Sequence, residues 1–192
     1  MNRLFAILFL LASAGLLGAP SASAADEPSL FDLRTRLVDQ HGQTVTLESL
    51  VDGHATLITM FYGSCHFACP MLNARVRRIE AKLPEADRAK LRILFVTFDP
   101  ERDTVEALRK LEGVYSAGQG APRWFLRPQD ADAVAELAAV LGIRYRVMSD
   151  GTINHTSVIT LLDGHGRVRG RMDGLDQPDE VLLRPLTELL AP

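Results

Sequence analysis

The chain has 192 residues, of which 47% are hydrophobic and 23% are charged, and its formal net charge at pH 7 is −3. This length is enough for one domain with its own hydrophobic core. The mild negative charge comes without a clustered basic face, which argues against a nucleic-acid-binding protein, so we expect no nucleic-acid partner.

The first 24 residues are typical of an export signal. Arg3 supplies the positive start, Leu4–Leu17 form an apolar run, and Ala22, Ser23 and Ala24 form a small-residue cleavage site. The apolar run is shorter than the ~20 residues that a transmembrane helix needs, which favours cleavage. We predict a signal peptide over residues 1–24, a linker over 25–30 and a periplasmic protein. The alternative is an uncleaved inner-membrane anchor, the one case in which we expect membrane contact.

The following residues predict alternating strands and helices. Residues 31–47 alternate apolar and polar side chains around Gly42, as in a β-hairpin. Residues 55–62 are a continuous apolar run rich in β-formers, which predicts a buried central strand. The segment GSCHFACP (63–70) interrupts this run, and residues 71–83 then carry apolar side chains at helical spacing.

Residues 91–98 predict a second buried strand, followed by a helix over 105–117 that either Asp103 or Thr104 can cap. The later elements are a strand (123–127), a helix (130–142), two strands around a DGHG turn (156–172), and a helix (178–190) that Pro185 is expected to kink or interrupt. This order predicts one α/β domain over residues 31–192, with a central mixed sheet, flanking helices and an N-terminal hairpin.

Both cysteines of the chain, Cys65 and Cys69, follow the first buried strand. A structural disulfide across so short a loop would restrain the unfolded chain very little, even in an oxidising compartment. At a helix start, residues four apart are separated by about 6 Å along the axis, which suits either a disulfide or a shared metal ion. Soft thiolates favour Cu(I), with zinc as the usual competitor. We therefore interpret the cysteines as a metal-binding or redox pair.

Two sulfurs leave the coordination of a metal incomplete, and the chain offers five histidines as further ligands. His155 directly precedes a predicted strand that we expect beside the cysteine strand, so it is a candidate ligand; the alternative is a residue that caps the strand end. His66 lies between the cysteines, and its ring can face either the metal or solvent. His54 is interpreted as a surface residue, and His41 and His165 lie in polar turns.

Three stretches in this order resemble the SCO/SenC family of copper chaperones, which serve assembly of the binuclear copper centre of cytochrome c oxidase. They are FYGSCHFACPM (61–71) for the family's C-x-x-x-C-P loop, VTFDPERDT (96–104) for its strand end, and INHTSVITLLDGHGRV (153–168) for its Asp-His-Ser segment. The resemblance runs from about Phe31 to the C-terminus and implies a thioredoxin-like fold.

By this resemblance, Cys65 and Cys69 correspond to copper-binding cysteines and His155 to the histidine ligand of a site for Cu(I) or Cu(II). Asp99 corresponds to an acidic residue near the site. The implied partners are a copper-accepting protein, such as a cytochrome oxidase subunit, and an upstream copper donor or thiol reductase.

The chain departs from the family pattern at two places. His66 and Phe67 stand where the family loop has Pro-Asp, which makes His66 a candidate additional ligand. Asn154 stands where the family has Asp before the histidine, so a carboxylate that could orient the His155 ring is missing.

Two functions follow from these residues. The favoured one is a metal carrier that delivers copper to a cuproenzyme, and the alternative is a thiol-disulfide oxidoreductase that reduces a partner's copper-site cysteines through Cys65 and Cys69. Thioredoxin-type reductases usually carry C-x-x-C and a cis-proline facing it. Here the spacing is C-x-x-x-C and, by resemblance, His155 stands in the proline's place, which favours the carrier.

Overall fold

A seven-stranded mixed sheet runs through the centre of the protein in the order β2-β1-β5-β4-β3-β8-β9. The computed structural model describes residues 28–116 and 120–191. The strands are β1 (Arg36–Val38), β2 (Thr44–Thr46), β3 (Ala55–Phe61), β4 (Leu91–Thr97), β5 (Arg123–Pro128), β6 (Tyr145–Val147), β7 (Ile153–His155), β8 (Val158–Leu162) and β9 (Val168–Asp173). The helices are α1 (Leu47–Val51), α2 (Ala68–Ala81), α3 (Glu85–Arg88), α4 (Val105–Tyr115), α5 (Ala131–Val140) and α6 (Glu180–Leu190).

The three central strands are parallel, and the strands on either side run against them. β4 pairs in parallel with β3 and with β5, while β1 is antiparallel to β5 and β8 is antiparallel to β3. All residues of β3 are buried, as expected of a strand covered on both faces. In the β3–β8 pair, Thr59 lies opposite Ile159. The segment that enters β8 therefore lies beside the segment that leaves β3.

Helices cover both faces of the sheet, so the predicted α/β architecture with a mixed sheet and flanking helices is confirmed. One core packs α2 and α6 against the sheet through residues such as Val76 and Leu182. The other core packs α1 and α5 through residues such as Leu50 and Leu137. The predicted hairpin is β1–β2, and Gly42 in its turn has a φ of 83°, which favours glycine.

The helix starts agree with the prediction at the cysteine pair and at α4. α2 begins at Ala68, ahead of the residues 71–83 that carry the helical spacing, so Cys69 lies at the helix start as expected. Of the two predicted caps of α4, Thr104 is the one observed. α6 runs through Pro185 without interruption, because its Leu182, Leu186 and Leu190 are buried in the core.

The sequence prediction missed the two-stranded sheet β6–β7. Its strands are three residues each, and most of their side chains are exposed or half-buried, so they carry no strong apolar alternation. The hairpin matters for function because His155 is its last residue.

The predicted signal peptide lies outside the described residues. Within residues 28–116 and 120–191, no helix has both the length and the apolar character that crossing a membrane requires. Ser29 caps a short 3-10 helix at Leu30–Asp32, and Leu30 is buried.

An ion-pair cluster ties α2 to the segment before α6. The buried Asp179 carboxylate lies 2.6 Å from Arg75, 2.8 Å from Arg78 and 3.0 Å from Lys82, all on or just after α2. The hydrogen bond from Arg78 is the largest influence on the pKa of Asp179, and together with those from Lys82 and Arg75 it outweighs burial and lowers that pKa. Because the first turn of α2 carries Cys69, this cluster helps to fix the helix that presents the inner sulfur.

We predict that Asp179→Ala lowers the free energy of unfolding by about 2–3 kcal/mol at pH 7, since removing one partner leaves buried charge uncompensated. The folded-state pKa of Asp179 is lower than the unfolded one, so its stabilisation is complete above about pH 5 and is lost as the pH falls through roughly 4 and below. Urea unfolding at pH 7 and pH 3 measures both effects.

The matched control is Glu180→Ala, which removes an exposed carboxylate 3.2 Å from Lys82. We expect it to change the free energy of unfolding by less than about 0.5 kcal/mol. Equal destabilisation by the two variants would show that Asp179 is no more than a surface charge.

Candidate metal centre

The cysteine loop (residues 62–69) connects the end of β3 to the first turn of α2. The Cys65 N–H donates to the Tyr62 carbonyl at 3.0 Å, which closes a turn directly after the strand. Because α2 begins at Ala68, Cys69 and Pro70 both lie in its first turn. Pro70 is compatible with this position, since N–H groups of a first turn have no intrahelical acceptor.

The Cys65 sulfur acts as the cap of α2. Phe67, the N-cap residue, makes no side-chain capping hydrogen bond. Instead, the Cys69 N–H donates to Cys65 Sγ at 3.3 Å, while Cys69 Sγ lies 3.9 Å from the Tyr62 carbonyl oxygen. Cys65 is half-buried and Cys69 is buried, and neither forms a disulfide. The pair thus has an outer sulfur and an inner sulfur.

The two thiols differ in acidity. Burial opposes ionisation of Cys65, but hydrogen bonds from the Cys69 thiol and from the backbone N–H groups of residues 67–69 outweigh it and lower the pKa of Cys65. Burial, followed by the hydrogen bond to Cys65, raises the pKa of Cys69. In the metal-free protein the first thiolate to form is therefore Cys65, with Cys69 as a protonated donor beside it.

His155 reaches the sulfurs from the β6–β7 hairpin, where it lies opposite Tyr145. Its Nδ1 is 3.1 Å from the Thr156 carbonyl oxygen. A carbonyl can only accept, so this contact places the proton on Nδ1 and leaves the Nε2 lone pair available. The ring packs 4.8 Å from the Phe98 ring and edge-to-face at 6.0 Å from the Tyr62 ring, measured between centroids. Burial lowers the pKa of His155, which favours the neutral imidazole that a metal requires.

The structure brings Cys65, Cys69 and His155 together, with their potential ligand atoms all within 4.8 Å of one another. No second group of three or more His, Cys, Asp or Glu side chains this close occurs in the part of the chain that the structure describes. Two sulfurs and one imidazole form a donor set suited to Cu(I) and acceptable to zinc. The same sulfurs are close enough for redox chemistry between them.

The other histidines lie outside this group. His66 is exposed, and its ring nitrogens are not part of the close group. His41 is 3.8 Å from Glu112, and His54 and His165 lie in the turns before β3 and after β8.

Asp103 anchors the cysteine loop, a role that the sequence analysis missed. Its buried carboxylate accepts the Gly63 N–H at 2.9 and 3.1 Å and also accepts the Thr97 hydroxyl. Gly63 allows this approach, because a Cβ there would overlap with the Asp103 carboxylate. Asp99, the acidic residue singled out by resemblance, pairs with the Arg102 side chain and accepts the Arg102 N–H at 3.3 Å in the segment before α4. No local pattern links Gly63 to Asp103, since they lie 40 positions apart.

Comparison with known proteins identifies the family. The sequence profile of SCO1/SenC matches residues 23–190. The chain belongs to the SCO1/SenC family. The SCO1 protein homolog of Bacillus subtilis is 26% identical to it over 141 residues, which cover 72% of this chain and 71% of that protein.

Solved structures of SCO proteins share the fold. Bradyrhizobium japonicum ScoI with copper bound has a TM-score of 0.62 at 24% identity, over 81% of this chain and 96% of that one. BsSco, described as having a disulfide switch and as a member of the Sco family of cytochrome c oxidase assembly proteins, has a TM-score of 0.70 at 22% identity, over 86% of this chain and 96% of that one. The thioredoxin-like fold expected for this SCO protein is therefore confirmed.

The difference in acidity predicts selective alkylation. We expect iodoacetamide to modify Cys65 in the reduced, metal-free protein with a pH midpoint below the ordinary thiol range of about 8.5, and to leave Cys69 unmodified until the protein unfolds. Mass spectrometry of peptides across a pH series measures both. Cys69→Ala serves as the comparison: it removes the thiol that donates to the Cys65 thiolate, so the pH midpoint for alkylation of Cys65 should rise. Modification of both cysteines at equal rates would contradict the assignment of an outer and an inner sulfur.

We predict that Asp103→Ala lowers the free energy of unfolding by roughly 2 kcal/mol, because the Gly63 N–H and the Thr97 hydroxyl lose their buried acceptor. Asp103→Asn retains one acceptor oxygen and should cost less. Chemical unfolding of the metal-free protein tests this order. The control is an exposed acidic residue of the segment between β4 and α4, which also carries Asp103. Glu101→Ala should change the free energy of unfolding by no more than about 0.5 kcal/mol. If Asp103→Ala were equally neutral, the carboxylate would not anchor the loop.

Proposed function

We propose that this SCO protein is a periplasmic metallochaperone that binds copper through Cys65, Cys69 and His155 and delivers it to a cuproenzyme, the binuclear copper centre of a cytochrome c oxidase being the favoured recipient. The observation that carries the proposal is the convergence of two sulfurs and one imidazole within 4.8 Å. The copper-bound ScoI structure and the assembly family of BsSco support the choice of metal and recipient.

The proposed location rests on the export signal predicted for residues 1–24. In an oxidising compartment the metal-free cysteines can oxidise to a Cys65–Cys69 disulfide, which cannot bind copper, so a thiol reductase is a natural upstream partner. A copper donor would then load the reduced site.

The proposed mechanism follows from how deeply each of the three ligands is buried. The Cys65 thiolate is the first group that an incoming Cu(I) meets, and the Cys69 thiol releases its proton as it joins the metal. The neutral Nε2 of His155 completes a three-coordinate site. Transfer proceeds by stepwise ligand exchange in a docked complex. The half-buried groups, Cys65 and His155, are replaced first, and the buried Cys69 sulfur is replaced last.

A thiol-disulfide oxidoreductase is the second candidate, and the acidity of the cysteines favours it. A half-buried Cys65 of lowered pKa beside a protonated, buried Cys69 is the arrangement of an attacking and a resolving thiol. The Cys65 thiolate would attack a partner disulfide to form a mixed disulfide. Cys69 would then displace the partner thiol, leaving the Cys65–Cys69 disulfide and a reduced partner. This step and copper delivery can follow one another.

Copper affinity tests the carrier function. We expect the reduced mature protein, starting at Ala25, to bind one Cu(I) in competition with a chelator. Cys65→Ala or Cys69→Ala should weaken binding by more than about a hundredfold, and His155→Ala by about tenfold or more, since even loss of an outer-shell partner costs 10- to 100-fold. His66→Ala is the matched control and should retain the wild-type affinity.

The variants also separate the two functions. His155→Ala should retain disulfide reductase activity, which needs only the two thiols, while losing copper affinity. Cysteine variants that bind Cu(I) as tightly as the wild type would overturn the site. A wild type that binds no copper but reduces disulfides would replace the carrier with the oxidoreductase.

A further inference from the structure

An open groove along the β6–β7 hairpin borders His155. The residues that line it together with the histidine are Arg144, Tyr145, Arg146, Met148, Asn154 and Thr156. A molecule seated in this groove would therefore lie beside a proposed copper ligand. The groove lies along a different element from the cysteine loop, and of the three proposed copper ligands only His155 lines it.

The two arginines project from the same side of the hairpin. Tyr145, which lies between them, turns inward and packs against Phe98 with ring centroids 5.1 Å apart. Because side chains alternate along a strand, Arg144 and Arg146 face the opposite way, and both residues are exposed. Two guanidinium groups are thus presented together next to His155.

Neither guanidinium is neutralised by a carboxylate within residues 28–116 and 120–191. Neither guanidinium group forms a hydrogen bond or ion pair with another described residue; the Arg144 backbone N–H donates to the Thr156 hydroxyl at 3.1 Å. The residue opposite Arg146 in the hairpin register is Asn154, which is uncharged. The nearest acidic residue along the hairpin, Asp150, accepts hydrogen bonds from the Thr152 N–H and hydroxyl within its own turn. The groove therefore carries a local positive charge on a protein whose net charge is −3.

Exposed apolar side chains occur both on this hairpin and on the cysteine loop. Met148 lines the groove and is 42% exposed, and Phe67, between the two cysteines, is 77% exposed. Aromatic, methionine and arginine side chains are the types enriched at protein–protein interfaces. The guanidinium group of arginine can bind a carboxylate through two parallel hydrogen bonds. Complementary charge across an interface mainly raises the rate of association.

We propose that the outer face of the β6–β7 hairpin is the docking surface for the copper-accepting protein, and that it recognises carboxylates beside the acceptor's own metal ligands through Arg144 and Arg146. This inference rests on the proposed carrier function and adds the chemistry of the partner. Binding there places the acceptor against His155, one of the half-buried ligands that exchange first.

The test measures the rate of copper transfer from the Cu(I)-loaded protein to the soluble copper domain of the cytochrome c oxidase from the same organism. We expect the double variant Arg144→Glu with Arg146→Glu to keep its copper affinity, because neither residue is a ligand, and to transfer copper at least about tenfold more slowly at low salt. The wild-type rate should fall as salt is added, and the rate of the double variant should not.

A control pair of substitutions makes the test specific. Arg109→Glu with Arg184→Glu makes the same change in net charge on α4 and α6 and should transfer at the wild-type rate.

The outcomes separate the docking surface from the function itself. If the wild type transfers copper and the variant Arg144→Glu with Arg146→Glu transfers it at the same rate, the docking surface is overturned and the carrier function stands. The same holds if the control pair slows transfer as much as the double variant does. Failure of the wild type to transfer copper would overturn the proposed recipient and the docking surface with it.

Discussion

The antiparallel pairing of β8 with β3 is the constraint on which the site depends. The register that sets Thr59 opposite Ile159 places the end of one strand beside the start of the other, and the Thr59 hydroxyl donates to the Val158 carbonyl at 2.6 Å at this point. The cysteine loop begins directly after β3, and His155 lies three residues before β8 begins. A slip of one residue would move every side chain of β8 to the other face of the sheet and carry the histidine away from the sulfurs.

The site combines one well-anchored side with one more open side. Cys69 is buried in the first turn of α2, and Asp103 holds the loop before it through the Gly63 N–H. Cys65 and His155 are only half-buried. A metal bound here would keep its inner sulfur while its outer ligands meet a partner, which is the asymmetry that directional transfer requires. The same asymmetry gives the thiols their different acidities, so carrier chemistry and thiol chemistry draw on one arrangement.

The β6–β7 hairpin contributes both to the candidate metal site and to the exposed groove. Its inward residue Tyr145 packs on Phe98, and Phe98 in turn packs on the His155 ring. Its outward residues, Arg144 and Arg146, line the groove. A partner that binds the outer face would therefore contact the element that supplies a ligand. This arrangement provides a physical basis for coupling partner recognition to ligand exchange, without any second site.

The sequence by itself determined the strands and helices of the core and the cysteine pair, because continuous apolar runs, helical spacing and the C-x-x-x-C-P segment are local patterns. It also pointed to His155, from its place before a buried strand. Only the tertiary structure decided that His155, and not His66, joins the two cysteines in the group of three, that Asp103 accepts the Gly63 N–H and so supports the cysteine loop, and that Arg144 and Arg146 share an unneutralised face. These features depend on contacts between residues far apart in the chain and on short, weakly apolar strands, and neither leaves a periodic signal in the sequence.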